Sequence, residues 1–198
     1  MDRWIKLLKR QGRIKTKIEF LHHMNHHLKD QSRSTCVLGL DIAETNIGVA
    51  FSDATYSFAS PLKKLQRMRP TYRQDSMQNI SSKLQKVIAE QQAIGAVVGW
   101  PLMPDGSLGM QCGHVLAFLT GMHQINEVQI PMVLWDERGT SVDARSFLWD
   151  AKTGKKRMKQ MEDQVAAALI LKDLLPEDTG DVYKLCAPHV RKQRIILT

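Results

Sequence analysis

The chain has 198 residues, of which 43% are hydrophobic, and this is enough for one sizeable core with extensions. Its three widely separated cysteines lack the spacing of a disulfide framework or a structural zinc site, and no apolar run has membrane-spanning length. The formal net charge of +8 is uneven, because residues 1–35 hold nine basic and three acidic residues while residues 36–175 are nearly neutral. A basic segment beside a neutral body favours docking on a polyanion, nucleic acid first and a membrane surface second.

The N-terminal segment, residues 1–35, combines this charge with a helical pattern. An apolar residue at every seventh position from Leu7 to Leu28 predicts a helix over residues 1–28 with one apolar stripe, which Gly12 interrupts. Three interpretations are open: a mitochondrial transit peptide, a docking helix for RNA or a protein partner, and a solvated surface helix, which the stripe argues against. We expect an uncleaved arm that a partner holds in place.

The body of the chain, residues 36–175, is predicted to be a mixed α/β domain. Strands are predicted at 36–43, 46–53, 56–66, 93–100 and 130–135, and helices at 71–92, at 110–122, from 140 or 141 onwards, and at 162–175. The first three strands follow one another directly and predict an antiparallel meander, whereas the last two can join the sheet only by right-handed crossovers. The expected fold is a mixed five-stranded sheet flanked by helices, followed by a tail over residues 176–198.

Acidic residues stand where three predicted elements begin or end. Asp41 ends the first strand among apolar residues, Asp136 ends the last strand, and Asp163 opens an alanine-rich helix. A buried aspartate needs a partner such as a bound cation, although Asp41 alone also fits a turn that closes a hairpin. Because strand ends meet where the strand order reverses, we expect the three carboxylates to lie together, with Glu137 and Arg138 beside them.

Carboxylates that meet at one point repel each other unless cations separate them. Mg²⁺ and Mn²⁺ bind carboxylate oxygens, and one or two such ions can activate a water against a phosphodiester. The same residues also have ordinary explanations, namely a local ion pair, a contact with a helix dipole and a solvated basic turn. The candidate phosphate-binding groups are Arg138, Thr140 and Ser141 at a helix start, and Lys155, Lys156 and Arg157 in a predicted basic loop.

Five segments of the body occur in the order found in one known family. They are LGLDIAETNIGVAFSD, ASPL, VVGWPLMPDGSLG, LWDERGTS and EDQVAAALIL, and together they span roughly residues 37–175. This ordered set resembles the YqgF/RuvX family, which has a ribonuclease H-like (RuvC-like) fold. Its bacterial members are described as candidate Holliday junction resolvases and as nucleases that mature the precursor of small-subunit ribosomal RNA. The resemblance implies that Asp41, Asp136 and Asp163 hold one or two Mg²⁺ or Mn²⁺ ions, with Glu137 as a further ligand or neighbour.

The chain departs from the family pattern at four positions. Ala43 replaces a glycine, Asn46 a basic residue, Leu108 a glutamate, and Gly139 a larger apolar residue. The acids are retained while parts of the surrounding shell differ, so altered substrate choice, or weak or lost activity, is one expectation.

The resemblance implies a metal-dependent endonuclease that acts on structured RNA in ribosomal RNA processing. Two alternatives stay open. A ribosome-assembly factor would bind precursor RNA and assembly proteins through residues 1–35 without cleaving, and a Holliday junction resolvase would require a stable dimer. The basic extension, unusual for a bacterial member, further suggests the mitochondrial matrix rather than the cytoplasm, and no membrane partner is expected.

Overall fold

The computed structural model describes residues 2–29, 34–69, 73–138 and 155–175. The strands of its single sheet are β1 (Ile14–Lys15), β2 (Cys36–Ile42), β3 (Asn46–Ser52), β4 (Ala59–Gln66), β5 (Ala93–Trp100) and β6 (Met132–Asp136). Their order across the sheet is β1-β6-β5-β2-β3-β4. β2, β3 and β4 form the predicted antiparallel meander, and β5 and β6 continue the sheet parallel to β2. The mixed α/β sheet is therefore confirmed, and β1 is a sixth strand beyond the five predicted.

Helices cover both faces of this sheet. They are α1 (Asp2–Arg10), α2 (Lys17–Lys29), α3 (Gln74–Gln91), α4 (Met110–Ile125) and α5 (Lys155–Leu174). Side chains of α1, α3 and α4 share one hydrophobic core with Leu40, Val98 and Leu134, whereas α2 and α5 share a second core with Val37 and Val97. Since successive strand residues point to opposite faces, the central strands contribute to both cores.

The N-terminal segment does not form the single helix predicted over residues 1–28. Gly12 follows α1 with a φ of +67°, and β1 then pairs in parallel with the edge of β6. The Thr16 hydroxyl accepts a hydrogen bond from the backbone N–H of Glu19, and the Glu19 carboxylate accepts one from the N–H of Thr16. This capping box starts α2, so the segment is divided into two helices with a short strand between them.

Most of the described apolar side chains of this segment are buried in the domain itself. Ile5 and Leu8 of α1 lie in the core formed with α3 and α4, and Phe20 and Leu21 of α2 lie in the core formed with α5. By contrast, 54% of the surface of Ile18 is exposed. On the predicted stripe, Ile14 and Leu21 are buried, whereas Leu7 and Leu28 are half-buried, so the chain's own sheet and helices cover much of the stripe.

The edge strand β4 begins three residues later than predicted. Tyr56 has a φ of +56° and belongs to the turn before β4, where the Asp53 carboxylate accepts hydrogen bonds from the N–H groups of Ser57 and Phe58 at 2.7 and 2.8 Å. Pro61 is tolerated inside β4, since β4 is the outermost strand of the meander and its register with β3 shifts at this point.

The last helix begins seven residues earlier than predicted, at Lys155 rather than Glu162. Lys155, Lys156 and Arg157 therefore form the first turn of α5, and their assignment to a loop was wrong. Thr140, Ser141 and the tail over residues 176–198 lie outside the described residues. Within the described ranges, no helix is both long and apolar enough to cross a membrane.

Candidate active site

Asp41 and Asp163 are brought together on the face of the sheet that α5 covers. Leu40 points into the opposite core, so the next residue of β2, Asp41, points toward α5. Asp41 pairs across the strands with Gly48 of β3, and the backbone of Asp163 packs directly on this glycine. A Cβ atom at Gly48 would collide with the Asp163 carbonyl group. The absence of a side chain at Gly48 therefore lets α5 pack close enough to the sheet to place Asp163 beside Asp41.

Lys64 of β4 lies on the other side of Gly48 from Asp41. It pairs with Gly48, and therefore its side chain faces α5 as that of Asp41 does. Its Nζ atom lies 2.9 Å from Oδ2 of Asp163. A basic residue of the chain thus contacts one of the predicted metal ligands.

Glu137 approaches the same face from β6. Its backbone N–H donates a hydrogen bond of 3.3 Å to the carbonyl of Trp100, which extends the β5–β6 pairing by one residue. Its carboxylate lies over Gly99, where a Cβ atom would collide with it and with Ile170 of α5. Asp41, Glu137 and Asp163 are called the acid cluster below.

Asp136 lies on the opposite face of the sheet from the acid cluster. It pairs with Trp100, which points into the core of α1, α3 and α4, and it is 4% exposed. Its carboxylate accepts hydrogen bonds from Nε and Nη2 of Arg138 at 3.0 and 2.7 Å, and Nη1 of Arg138 donates to the Pro104 carbonyl at 3.2 Å. Asp136 therefore holds Arg138 against the loop between β5 and α4, rather than facing Asp41 and Asp163 as predicted.

The electrostatics agree with this grouping. Burial raises the pKa of Asp41 to about 7, with further contributions from the charges of Asp163 and Glu162 and an opposing one from Lys64. Burial likewise raises the pKa of Glu137 to about 8, together with the charges of Asp41 and Asp136. Desolvation and like charges disfavour ionisation, so Asp41 and Glu137 hold protons more tightly in the metal-free protein than separate carboxylates would.

Comparison with known proteins identifies the domain. Residues 35–177 match the family model described as "RuvX: Holliday junction resolvase". The chain belongs to the RuvX family. Together with the observed sheet, this confirms the ribonuclease H-like fold that the resemblance implied. Residues 1–34, including α1, β1 and α2, lie outside the RuvX match.

RuvX relatives at 34–35% identity cover most of the body. A protein of Roseobacter denitrificans named "Putative pre-16S rRNA nuclease" is 34% identical over 139 residues, which is 70% of this chain and 81% of the relative. A protein of the same name from Ruegeria sp. is 35% identical over 141 residues, which is 71% of this chain and 84% of the relative. Among solved structures, Thermus thermophilus RuvC in complex with a Holliday junction superposes with a TM-score of 0.46 at 14% identity, over 69% of this chain and 91% of that one.

The donor set of the RuvX acid cluster fits a divalent metal ion. All of its groups are carboxylates, which Mg²⁺ and Mn²⁺ prefer, and a cation would offset both the burial and the like charges that raise the pKa values of Asp41 and Glu137. Among the described residues, no three Asp, Glu, His or Cys side chains are already grouped closely enough to hold an ion. Positive charge is instead provided beside Asp163 by Lys64.

Three residues of the candidate site were not predicted from the sequence: Lys64, Gly48 and Gly99. The two glycines are a usable signal, because glycine inside a strand is unfavourable unless another backbone or side chain approaches closely. Lys64 has no such signal, since an edge-strand lysine is ordinarily solvated. The side chains of Lys155, Lys156 and Arg157 and all of Thr140 and Ser141 lie outside the described part of the site.

Proposed function

We propose that this RuvX protein is a metal-dependent nuclease that cleaves structured RNA, with a ribosomal RNA precursor as its substrate. The observation that carries the proposal is the buried acid cluster, in which burial and then the neighbouring carboxylates raise the pKa values of Asp41 and Glu137. The names of the Roseobacter and Ruegeria relatives support the RNA substrate.

Each described residue of the site has a role in this proposal. Asp41, Glu137 and Asp163 would hold Mg²⁺ or Mn²⁺, and the bound ion would supply an activated water and stabilise the leaving oxygen of a phosphodiester. Asp136 holds the Arg138 guanidinium in one orientation, in which a phosphate can accept hydrogen bonds from it. The other phosphates of the substrate would be bound by Thr140, Ser141, Lys155, Lys156 and Arg157.

The first test is cleavage of labelled structured RNA and of a four-way DNA junction, with Mg²⁺ and then Mn²⁺. We expect the wild-type protein to cut the RNA and Asp41→Asn to lose nearly all activity, because the variant removes a charge from the acid cluster. The matched control is Asp75→Asn, since Asp75 lies in α3 with 62% of its side chain exposed and pairs with Arg73. This control should keep wild-type activity.

A Holliday junction resolvase is the second candidate, and the description of the matching family model favours it. Cleavage of the junction without cleavage of RNA would replace the RNA nuclease by this function. A resolvase also needs two symmetric sites, so its mass in solution should be that of a dimer. If neither substrate is cut while RNA still binds, the protein is an assembly factor that retains the fold and the acids.

We further propose that the exposed face of α1 contributes to RNA binding or to contacts with ribosome-assembly proteins. Arg3, Lys6 and Arg10 are exposed, while Ile5 and Leu8 hold the helix to the domain. Deleting the segment would damage the core, so the test is the triple change of these basic residues to glutamine. RNA affinity should fall and its dependence on salt should weaken, while the thermal midpoint stays unchanged. Unchanged affinity and salt dependence would exclude RNA binding by this face.

Mitochondrial localisation is the remaining part of the proposal. The support is the basic, amphipathic character of α1 and its place outside the RuvX match. Residues 1–35 should be fused to a fluorescent reporter, since this test does not depend on the folding of the nuclease domain. Import of the reporter into the matrix supports the proposal, and a reporter that stays in the cytoplasm contradicts it.

A further inference from the structure

Lys64 is in an unusual position for an edge-strand lysine. It stands in one cross-strand row with Gly48 and Asp41, and its side chain therefore lies under α5 rather than in open solvent. Its Nζ atom is 2.9 Å from Oδ2 of Asp163, and the two side chains are only 25% and 22% exposed. The ammonium group thus sits inside the carboxylate site.

We infer that Lys64 is a built-in counter-ion that competes with the divalent metal ion for Asp163. This inference rests on the proposed function, in which Asp163 is a metal ligand. The ammonium group lies at ion-pair distance from Oδ2 of Asp163 and so occupies space beside an oxygen that a metal ion would use. In addition, a positive charge at this distance repels a divalent cation, and the repulsion is stronger in a partly desolvated site than in water.

The competition gives Lys64 two opposite effects. In the metal-free protein it offsets the repulsion among Asp41, Glu137 and Asp163 and so stabilises the fold. When the ion binds, the ammonium group has to leave Asp163, which its flexible four-carbon stem permits. Lys64 therefore lowers the affinity of the acid cluster for the metal ion below the value that the carboxylates alone would give.

The neighbouring residue offers a matched control. Lys63 is on the same strand but faces α3, where its Nζ lies 3.3 Å from Oε2 of Glu90. Lys63→Met removes the same charge from the same strand without touching Asp163. Lys64→Arg keeps the charge at the site and separates the effect of charge from that of folding.

The experiment is a titration of metal-free protein with Mn²⁺, followed by calorimetry and by the spin-resonance signal of free Mn²⁺. We expect Lys64→Met to bind Mn²⁺ at least about threefold more tightly than wild type, while Lys63→Met and Lys64→Arg stay within about twofold. A second readout is the rise in thermal midpoint that saturating Mn²⁺ produces, which should be larger in Lys64→Met because its metal-free form is less stable.

The outcomes separate the inference from the function on which it rests. If wild type binds Mn²⁺ and Lys64→Met binds it equally or more weakly, the competition is excluded while the metal site stands. If neither protein binds Mn²⁺, both the inference and the metal-dependent function are wrong. Tighter binding by Lys63→Met to the same extent would also overturn the inference, since the effect would then be general electrostatics rather than a contact with Asp163.

Discussion

Asp136 and Glu137 are adjacent in the sequence but point to opposite faces of the sheet. Asp136 faces the core of α1, α3 and α4 and holds Arg138, whereas Glu137 lies over Gly99 beneath α5. The side-chain alternation of an extended chain makes this division unavoidable once Trp135 is fixed in the core of α5. Glu137 rather than Asp136 is therefore the acid of this pair that shares a site with Asp41.

This division predicts different effects for two conservative substitutions. Glu137→Gln should weaken Mn²⁺ binding by about tenfold or more, because it removes a ligand charge from the acid cluster. Asp136→Asn should leave Mn²⁺ affinity within about threefold and instead weaken RNA binding, since Arg138 loses its bidentate partner. Calorimetric titrations with Mn²⁺ and with RNA check both. The reverse order of Mn²⁺ affinities would restore Asp136 as the metal ligand.

The raised pKa values predict an unusual dependence of stability on pH. The pKa of Asp41 is raised to about 7 and that of Glu137 to about 8, from ordinary values of 3.8 and 4.5. The folded protein thus binds these protons more tightly than the unfolded chain does, so the free energy of unfolding falls as the pH rises from about 4 to about 8. In EDTA, the thermal midpoint should be higher at pH 6 than at pH 8.

Asp41→Asn is the matching variant for this pH effect. The amide cannot ionise, so the variant should be more stable than wild type at pH 8 by about 1–3 kcal/mol in EDTA, with a smaller difference at pH 6. Denaturant unfolding at the two pH values measures this. A metal-free wild type that becomes more stable between pH 6 and pH 8 would show that the carboxylates are not desolvated together.

The sequence predicted which elements bring acids together, but it grouped Asp136 with Asp41 and Asp163, whereas the structure places Glu137 on their face of the sheet. Asp41 was identifiable, because an acid that ends an apolar strand needs a partner, whereas Asp163 was found from a predicted helix start that the structure places earlier, at Lys155. The choice between Asp136 and Glu137 depends on which face of β6 packs on α5, and that is a property of the assembled sheet. The contact of Lys64 with Asp163 depends likewise on β4 lying beside β3 under α5.

At the scale of elements, the approach of α5 to the sheet decides the geometry of the site. Gly39 and Gly48 lie directly beneath this helix, where a Cβ would collide with the carbonyl groups of Ala167 and Asp163. Because α5 packs closely on the sheet, Asp163 lies beside Asp41. A helix farther from the sheet would leave Asp163 in solvent. The glycines in β2 and β3 therefore help to form the site.

Gly48→Ala tests this approach. The added methyl group has to displace the backbone of α5, so we expect a loss of about 1–3 kcal/mol in the free energy of unfolding and weaker Mn²⁺ binding. Gly113→Ala is the control, because Gly113 lies in α4 and a methyl group added there would meet no atom within 4 Å. That control should be neutral or more stable by about 0.5–1 kcal/mol. Equal behaviour of the two variants in urea unfolding would refute the close packing.

The elements differ in how far the sequence determines them. The central strands β2, β3 and β5 were predicted to within a residue or so, since continuous apolar runs between turns have few alternatives. β1 was missed, because two residues become a strand only when the edge of β6 is present to pair with them. The start of α2 could have been found, since Thr16 and Glu19 have the spacing of a capping box.

At the scale of the whole molecule, the N-terminal segment is part of the folded domain although it lies outside the RuvX match. β1 extends the sheet beyond β6, and Phe20 of α2 packs its ring on Gly95 of β5. The Nζ atom of Lys17 lies 4.6 Å from the ring centre of Trp135, and Trp135 donates a hydrogen bond of 2.6 Å to Asp173 of α5. The segment thereby contacts the helix that carries Asp163.

Two substitutions in α2 distinguish a structural segment from an appended arm. Phe20 is fully buried, so Phe20→Ala should lower the free energy of unfolding by about 3–5 kcal/mol, in the range of a large cavity in a packed core. Ile18 lies on the same helix but is 54% exposed, so Ile18→Ala should change stability by less than about 0.5 kcal/mol. Urea unfolding measures both.

The same variants also decide how deletion experiments are to be understood. If Phe20→Ala is destabilised as expected, loss of RNA binding or activity on removing residues 1–35 reports damage to the core and not the loss of a docking arm. If Phe20→Ala unfolds at the same urea concentration as wild type, α2 is not part of the cooperative fold. The extension would then be an arm that a partner has to hold, and its basic face could bind RNA or assembly proteins without destabilising the rest of the domain.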